Sequence, residues 1–209
     1  MLLILLSFGI ANPTIVLDQR KADFISRVRD MVYTIKCEDT LNLSFSWARG
    51  YDAYRITVEI RDSVGMLKDR YFYVFKNDTT YKFSYYKHYK EITSRLETLN
   101  LAAYNWILFL PPYKWTKKGN PSEVSFTLDG VPGRLYVDKE GRIKKVVIEY
   151  PDMPFEIMFK KYEEVAGFKY FPSEWEVSFG DFHKVFKVDK FYLNQGLCGP
   201  CTYKIPRNP

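Results

Sequence analysis

The sequence is short of the residues from which most catalytic and metal centres are built. Its 209 residues include two histidines and three cysteines. The histidines, His88 and His183, stand ninety-five positions apart, and no His-Glu-x-x-His is present. That spacing leaves no local pair of imidazoles for a metal, and both read as surface or interface residues in strands. There is no Gly-x-Ser-x-Gly and no phosphate-binding loop. Glu163 and Glu164 are adjacent, so on a strand they point to opposite faces and cannot act as a paired acid and base. The residues therefore predict no enzyme, no metal and no cofactor. The chain also lacks a block of like charge. Its net charge is +6, but acids and aromatics separate the bases, as in "IRDSVGMLKDRYF". That pattern predicts a solvated mixed-charge face and no nucleic-acid partner.

Long apolar runs are missing as well. The longest opens the chain, "MLLILLSFGIANP", and its apolar part is about ten residues, too short to span a bilayer. Gly9 and Ala11 supply small residues for cleavage before Asn12, so residues 1–11 read as a signal peptide. No Lys or Arg precedes the run, and no cysteine follows it to carry a lipid. The expectation is export and a soluble mature chain in an oxidising, extracytoplasmic space.

What the chain has in quantity is aromatic side chains: 17 Tyr, 16 Phe and 4 Trp. Nearly half of its residues are hydrophobic, which excludes disorder as the general state. The periodicity predicts helix, strands, helix, strands. Phe24, Ile25, Val28, Met31, Val32 and Ile35 recur at helical spacing over 18–33. Then the period becomes two. "TLNLSFSW" sets Leu41, Leu43, Phe45 and Trp47 on one side, and "AYRITVEIR" sets Tyr54, Ile56, Val58 and Ile60 on one side. A second helix is predicted from Ser94, with a capping box to Glu97, to the stop at Pro111 and Pro112. Its main face is Leu96, Leu99, Ala103, Trp106, Ile107 and Leu110, and a helix this apolar is buried on more than one side. Strands resume after it. Ten or so strands in series predict an α+β, mainly β fold. Its antiparallel sheet is large enough that it must curl or close.

Within the hairpin "DSVGML", residues 62–67, Val64, Met66 and Leu67 surround Gly65 where polar residues are the rule. Either Met66 or Leu67 folds back to cap the sheet, or the tip projects into water to meet a membrane surface or a partner. Lys68 and Arg70 stand beside it.

The tail, 195–209, holds "GLCGPC". Cys-Gly-Pro-Cys is the active-site tetrapeptide of thioredoxin-like oxidoreductases. There the first cysteine heads a long helix whose dipole lowers its pKa. Here only "TYKIPRNP" follows, with Pro206 and Pro209, which cannot build that helix. A disulfide is the structural alternative. Cys37 makes the count odd, so either Cys198 pairs with Cys201, or Cys37 pairs with a tail cysteine across a long loop.

Three stretches in order resemble the LolA/LolB superfamily of outer-membrane lipoprotein carriers and receptors. They are "SFSWARGYDAYRITVEIRDSVGMLKDRYFYVF", "LETLNLAAYNWILFLPP" and "FEIMFKKYEEVAGFKYFPSEWEVSFGDFHKVFKVDKFYL". Together they lie within residues 18–194, and the first is closest to LolB. The resemblance implies a curled, incomplete antiparallel β-barrel of roughly 10–11 strands in a single domain, 12–209, with helices over its open side. It implies an acyl-chain cavity lined by Leu43, Phe45, Trp47, Ile56, Val58 and Ile60 from the strands. Leu99, Ala103, Trp106 and Leu110 would face them from the helix. It also implies a membrane or partner loop at Val64, Gly65, Met66 and Leu67. The expected partners are lipoprotein acyl chains or other lipid, the outer-membrane surface and a Lol-type protein, for a monomer in the periplasm. The chain departs from LolB in lacking the N-terminal lipidated cysteine, which favours a LolA-like carrier. A periplasmic sensor or regulator on the same fold, and an oxidoreductase using the tail dithiol, are the alternatives.

Overall fold

The computed structural model describes residues 19, 22–24, 26–37, 41–49, 53–76, 79–84, 90–93, 123–128, 130–140, 142–165 and 167–205. Twelve strands stand among them: β1 (Asp30–Cys37), β2 (Leu41–Ala48), β3 (Ala53–Arg61), β4 (Leu67–Lys76), β5 (Thr79–Ser84), β6 (Lys90–Thr93), β7 (Glu123–Leu128), β8 (Val131–Val137), β9 (Ile143–Ile148), β10 (Phe155–Val165), β11 (Phe168–Phe179) and β12 (Phe182–Leu193). All twelve belong to one sheet in the order β6-β5-β4-β3-β2-β1-β12-β11-β10-β9-β8-β7. Neighbours are antiparallel throughout. The sheet is unclosed, an incomplete β-barrel, with β6 and β7 at its two edges.

This order is two six-strand meanders, β1–β6 and β7–β12, joined by one non-local pairing. Within each meander, sequence neighbours pair, as short connections between strands require. The join is β1 against β12, from Met31↔Leu193 to Lys36↔Lys187, with a register shift between Thr34 and Ile35. The shift inserts an extra residue and re-aims the strand beyond it.

Polar contacts lock the head of this seam. Asp30 is 7% exposed. Its carboxylate accepts the backbone N–H of Gln195 at 3.0 Å and of Gly196 at 3.1–3.2 Å. The Asn194 N–H donates to the Asp30 carbonyl at 2.9 Å. The Asn194 side chain accepts from Arg29 N–H at 2.6 Å and donates to the Arg27 carbonyl at 3.1 Å. Asn194 sits at φ +54°, a left-handed conformation that Asn tolerates better than other non-glycine residues.

One expectation is corrected. The helix expected over 18–33 is confined to its first part. Residues 22–24 and 26–27 are helical, the Val28 N–H donates to the Phe24 carbonyl at 2.9 Å, and from Asp30 the chain is a strand. Val32, Thr34 and Ile35 are β-branched and prefer the pleat. The seam with β12 and the pairing with β2 then supply the hydrogen bonds a helix would otherwise make. Among the described residues the strands number twelve, in keeping with the expected mainly β sheet of roughly 10–11. The predicted helix over 94–110 and the whole of 94–122 lie outside the described residues, as does His88.

The tail packs on the sheet. After Asn194 it forms a single 3₁₀ turn, Pro200–Tyr203. Tyr203 is buried with Ala48 and Ala53, and Cys198 packs against them. Ala48 and Ala53 alternate with Trp47 and Tyr54, so the tail lies on the face opposite the main core.

Because Asp30 ties β1 to the segment that follows β12, its loss should cost more than an ordinary surface change. Asp30→Ala leaves two part-buried N–H groups without their charged acceptor and is expected to lower the unfolding free energy by roughly 1–2 kcal/mol. Asp30→Asn keeps one acceptor and should cost about half as much. Urea denaturation of the two variants against the parent chain checks both values, and an unchanged midpoint in Asp30→Ala would remove the seam's polar lock from the account.

Candidate functional site

The inner face of the sheet is a continuous apolar surface. Alternation sends Met31, Tyr33, Ile35 and Cys37 of β1, Leu43, Phe45 and Trp47 of β2, and Tyr54, Ile56 and Val58 of β3 to one side, where they form a single cluster. An aromatic ladder crosses six strands on that face. Phe75 of β4 stacks on Tyr54 of β3 at 4.9 Å, and Tyr54 on Phe45 of β2 at 5.7 Å. Phe45 stacks on Tyr33 of β1 at 4.8 Å, and Tyr33 on Phe191 of β12 at 6.1 Å. Phe191 meets Phe171 of β11 edge-on at 4.1 Å. Offset and edge-on contacts of this kind add to the gain from burial. Burial, and the nearby Tyr54, push the Tyr33 phenol well above the usual tyrosine range, so it stays neutral.

From the short helix, Phe24 and Val28 join the same cluster, and the Phe24 ring lies 6.2 Å from Trp47. Towards the β6 edge the inner face turns polar. Thr80 and Lys82 of β5 stand opposite Phe75 and Tyr73. The Lys82 ammonium pairs with Glu91 of β6 at 3.1 Å and lies 5.7 Å from the Tyr73 ring. The outer face has a different character. Its cleft of about 290 Å³ is lined by Thr34, Ser44, Thr57, Glu59, Asp189 and Lys190 among others. Hydroxyls and charges of this kind do not suit an acyl chain.

Of the predicted strand-side lining, Leu43, Phe45, Trp47, Ile56 and Val58 are brought together in the inner cluster. Ile60 is not. It is 38% exposed near the end of β3, beside the register shift between Ile60 and Arg61, where the strand runs past the packed interior. Leu99, Ala103, Trp106 and Leu110 lie outside the described residues. Tyr33, Phe24, Phe171 and Phe191 were missing from the sequence-based lining. The signal for Tyr33 was present, because Met31, Tyr33, Ile35 and Cys37 alternate.

The second feature is the β3–β4 hairpin. Val64 is 76% exposed and Met66 67% exposed, while Leu67 is half-buried as the first residue of β4. The tip is apolar, yet a polar frame of hydrogen bonds and ion pairs surrounds it. The Asp62 carboxylate accepts from Met66 N–H at 2.9 Å and from Val64 N–H at 3.1 Å, and Lys68 pairs with it at 3.3 Å. The Asp62 N–H donates to the Met66 carbonyl at 2.9 Å. Arg61 donates to the Gly65 carbonyl at 3.0 Å and pairs with Glu59, which also holds Arg70 at 2.6 Å. Gly65 has φ +82° with open space around it, so the turn needs a residue free to take the left-handed region. The Met66 N–H, more than any other group, holds the Asp62 carboxyl below the usual carboxylate range.

The antiparallel order puts the β3–β4, β9–β10 and β11–β12 turns on the same rim of the sheet. Phe179 and Phe182, which flank the β11–β12 turn, are also exposed, as is Met153 of the β9–β10 connection. The Met153 side chain lies over Gly180.

The three cysteines are thiols. Cys37 sits in the inner cluster, and Cys198 packs on the outer face with Tyr203. The sheet lies between them, which corrects the suggested pairing of Cys37 with a tail cysteine. His183 is an exposed residue of β12, 3.4 Å from Glu176. Among the described residues no group of three His, Cys, Asp or Glu could hold a metal ion. No helix among them is long and apolar enough to cross a membrane.

The sequence matches no family model and no curated protein. Solved structures do match. A domain from Vibrio parahaemolyticus, described as an outer membrane lipoprotein-sorting protein, superposes with a TM-score of 0.56 at 9% identity, over 87% of this chain and 92% of that one. An uncharacterized conserved protein from Thermus thermophilus matches at 12% identity over 91% and 95% of the two chains, with a TM-score of 0.43. A hypothetical protein from Chlamydia trachomatis matches at 10% identity over 90% and 97%, with a TM-score of 0.38. The Vibrio likeness is one of fold alone: the two chains share an overall architecture.

Proposed function

We propose that this chain is an extracytoplasmic lipid- or lipoprotein-binding protein. It shields acyl chains against the inner face of its unclosed sheet and carries them to, or receives them at, an outer-membrane surface. The observation that carries this reading is the β3–β4 tip, where Val64 and Met66 are held in water by a frame of hydrogen bonds and ion pairs. An apolar tip that is both exposed and rigid is costly unless another surface covers it. The fold likeness to a lipoprotein-sorting domain supports the same reading. So does the inner face, whose aromatic and aliphatic cluster matches the chemistry of a fatty acyl chain. Each buried CH₂ contributes about 0.8 kcal/mol, so handover between carriers needs only a modest difference in affinity. The role is one of binding, not catalysis.

Native mass spectrometry of the chain purified from its host is expected to show co-purifying fatty acyl species, lost on organic extraction. A chain that carries none, and that fails to bind a fluorescent fatty acid after extraction, overturns the carrier reading.

The tip is tested separately. Val64→Glu with Met66→Glu changes two exposed side chains, which should leave stability within about 0.5 kcal/mol. Delivery of bound lipid to liposomes should fall by about a hundredfold, since two side chains of this size contribute at least ~3 kcal/mol when buried. Leu67 is left alone because it is half-buried. Unchanged delivery, or a collapse in melting temperature, returns the loop to a structural role.

The frame of the tip should respond to acid. The carboxyl of Asp62 is held below its usual range when folded, so its contribution is complete above the ordinary carboxylate range and is lost as pH falls through the lowered value. The ¹⁵N heteronuclear NOE of the Val64 and Met66 amides should drop over that acid range. Asp62→Asn should show no such step. A drop of equal size in Asp62→Asn would mean that some other group holds the turn.

A further inference from the structure

The tail dithiol is the one motif that the lipid reading leaves unused. Its two sulfurs stand in different surroundings. Cys201 is exposed, within the 3₁₀ turn. Cys198 is half-buried, with its sulfur 3.9 Å from the Met31 carbonyl, and it packs beside Tyr203 on the outer face. Cys37, the third thiol, is shut inside the inner cluster across the sheet. We propose that Cys198 and Cys201 form a reversible disulfide by exchange with a small disulfide of the glutathione class, with the exposed Cys201 as the attacking thiol and Cys198 as the resolving one.

This order is the reverse of that in a Cys-Gly-Pro-Cys at the head of a long helix. There, the helix favours the first thiolate. Here the first cysteine has no such helix, and its surroundings oppose the thiolate. Burial raises the Cys198 thiol and the Asp30 carboxylate adds to this, which outweighs the opposing hydrogen bond from Tyr203. Attack on a disulfide also needs access along the S–S axis, and the exposed Cys201 sulfur has more of it than the half-buried Cys198 sulfur.

The exchange balances in two steps. The Cys201 thiolate attacks one sulfur of oxidised glutathione, forms a mixed disulfide and releases one glutathione thiolate. The Cys198 thiol then loses its proton and attacks the Cys201 sulfur, releasing the second glutathione. Two protein thiols are oxidised, one glutathione disulfide is reduced to two thiols, and the two protons end on those thiols. The closing movement falls on Gly199, which is extended (φ −125°, ψ −179°) and has no neighbour within 4 Å of where a Cβ would stand.

The test uses the full-length chain, oxidised glutathione and intact mass after acid quench, and it does not depend on the lipid reading. The unmodified chain should lose the mass of two hydrogens, keep no glutathione, and retain one alkylatable thiol, Cys37, after unfolding. Cys198→Ser should stop at a glutathione adduct on Cys201. Cys201→Ser should form an adduct on Cys198 at least about tenfold more slowly. Circular dichroism confirms that both variants fold, and the unmodified chain alone decides the pairing. A Cys37-containing disulfide, or a persistent glutathione adduct on the unmodified chain, overturns the pairing. Adduct formation in Cys201→Ser as fast as in Cys198→Ser overturns the order.

Discussion

Most of the described structure is held by strands pairing with their sequence neighbours, and one contact joins the halves. That contact is the seam between β1 and β12. Each six-strand meander can form from local hairpins, where loop closure is cheap. The seam closes a loop of most of the chain, so its contacts must outweigh a larger entropy loss. This accounts for the concentration of strong interactions there. The Asp30 carboxylate and the Asn194 side chain tie the strand ends together outside. Tyr33 sits between Phe45 and Phe191 inside, one ring bridging the two meanders.

The same arrangement separates two kinds of apolar surface. Rings on the inner face are in contact with one another, and the ladder runs through the seam without a break from β4 to β11. Val64 and Met66 on the rim stand instead in water, on a hydrogen-bonded turn. An interior of this kind can exchange packing partners with a ligand, because rings and acyl chains make equivalent contacts. The exposed tip has no interior to exchange and can be covered only from outside. The ring-lined inner face and the apolar tip thus occupy different parts of one sheet.

Much of this was legible in the sequence. Strict alternation in "LNLSFSWA" and "AYRITVEI" placed Leu43, Phe45, Trp47, Ile56 and Val58 on the inner face. The tip at Val64 and Met66 stood out because apolar residues occupied a turn. The first strand was misread. Phe24, Val28, Met31 and Ile35 fit a helix, while Met31, Tyr33, Ile35 and Cys37 fit a strand, and local spacing cannot choose between them. The choice is made by β12, over 150 residues away, and no local pattern carries that information. Ile60 was misplaced for a related reason. Alternation states which side a residue faces, not where the packed region ends. The faces occupied by Cys37 and Cys198 required the tail's path, which irregular sequence does not specify.

The seam has a consequence for how the chain comes into being. Synthesis proceeds from the amino terminus, and strand β1 is made early, with β2 as a partner on one side only. Its other partner, β12, is complete only at Leu193. Until then β1 is an edge bearing Met31, Tyr33 and Ile35, a template for wrong pairing. A nascent chain of this topology therefore cannot reach its final sheet before β12 has been translated. On the export route that the proposed function implies, a chain crossing a membrane unfolded gains from that delay. The pairing that commits the sheet to its folded form depends on β12, so the order of the strands acts as a timer on folding.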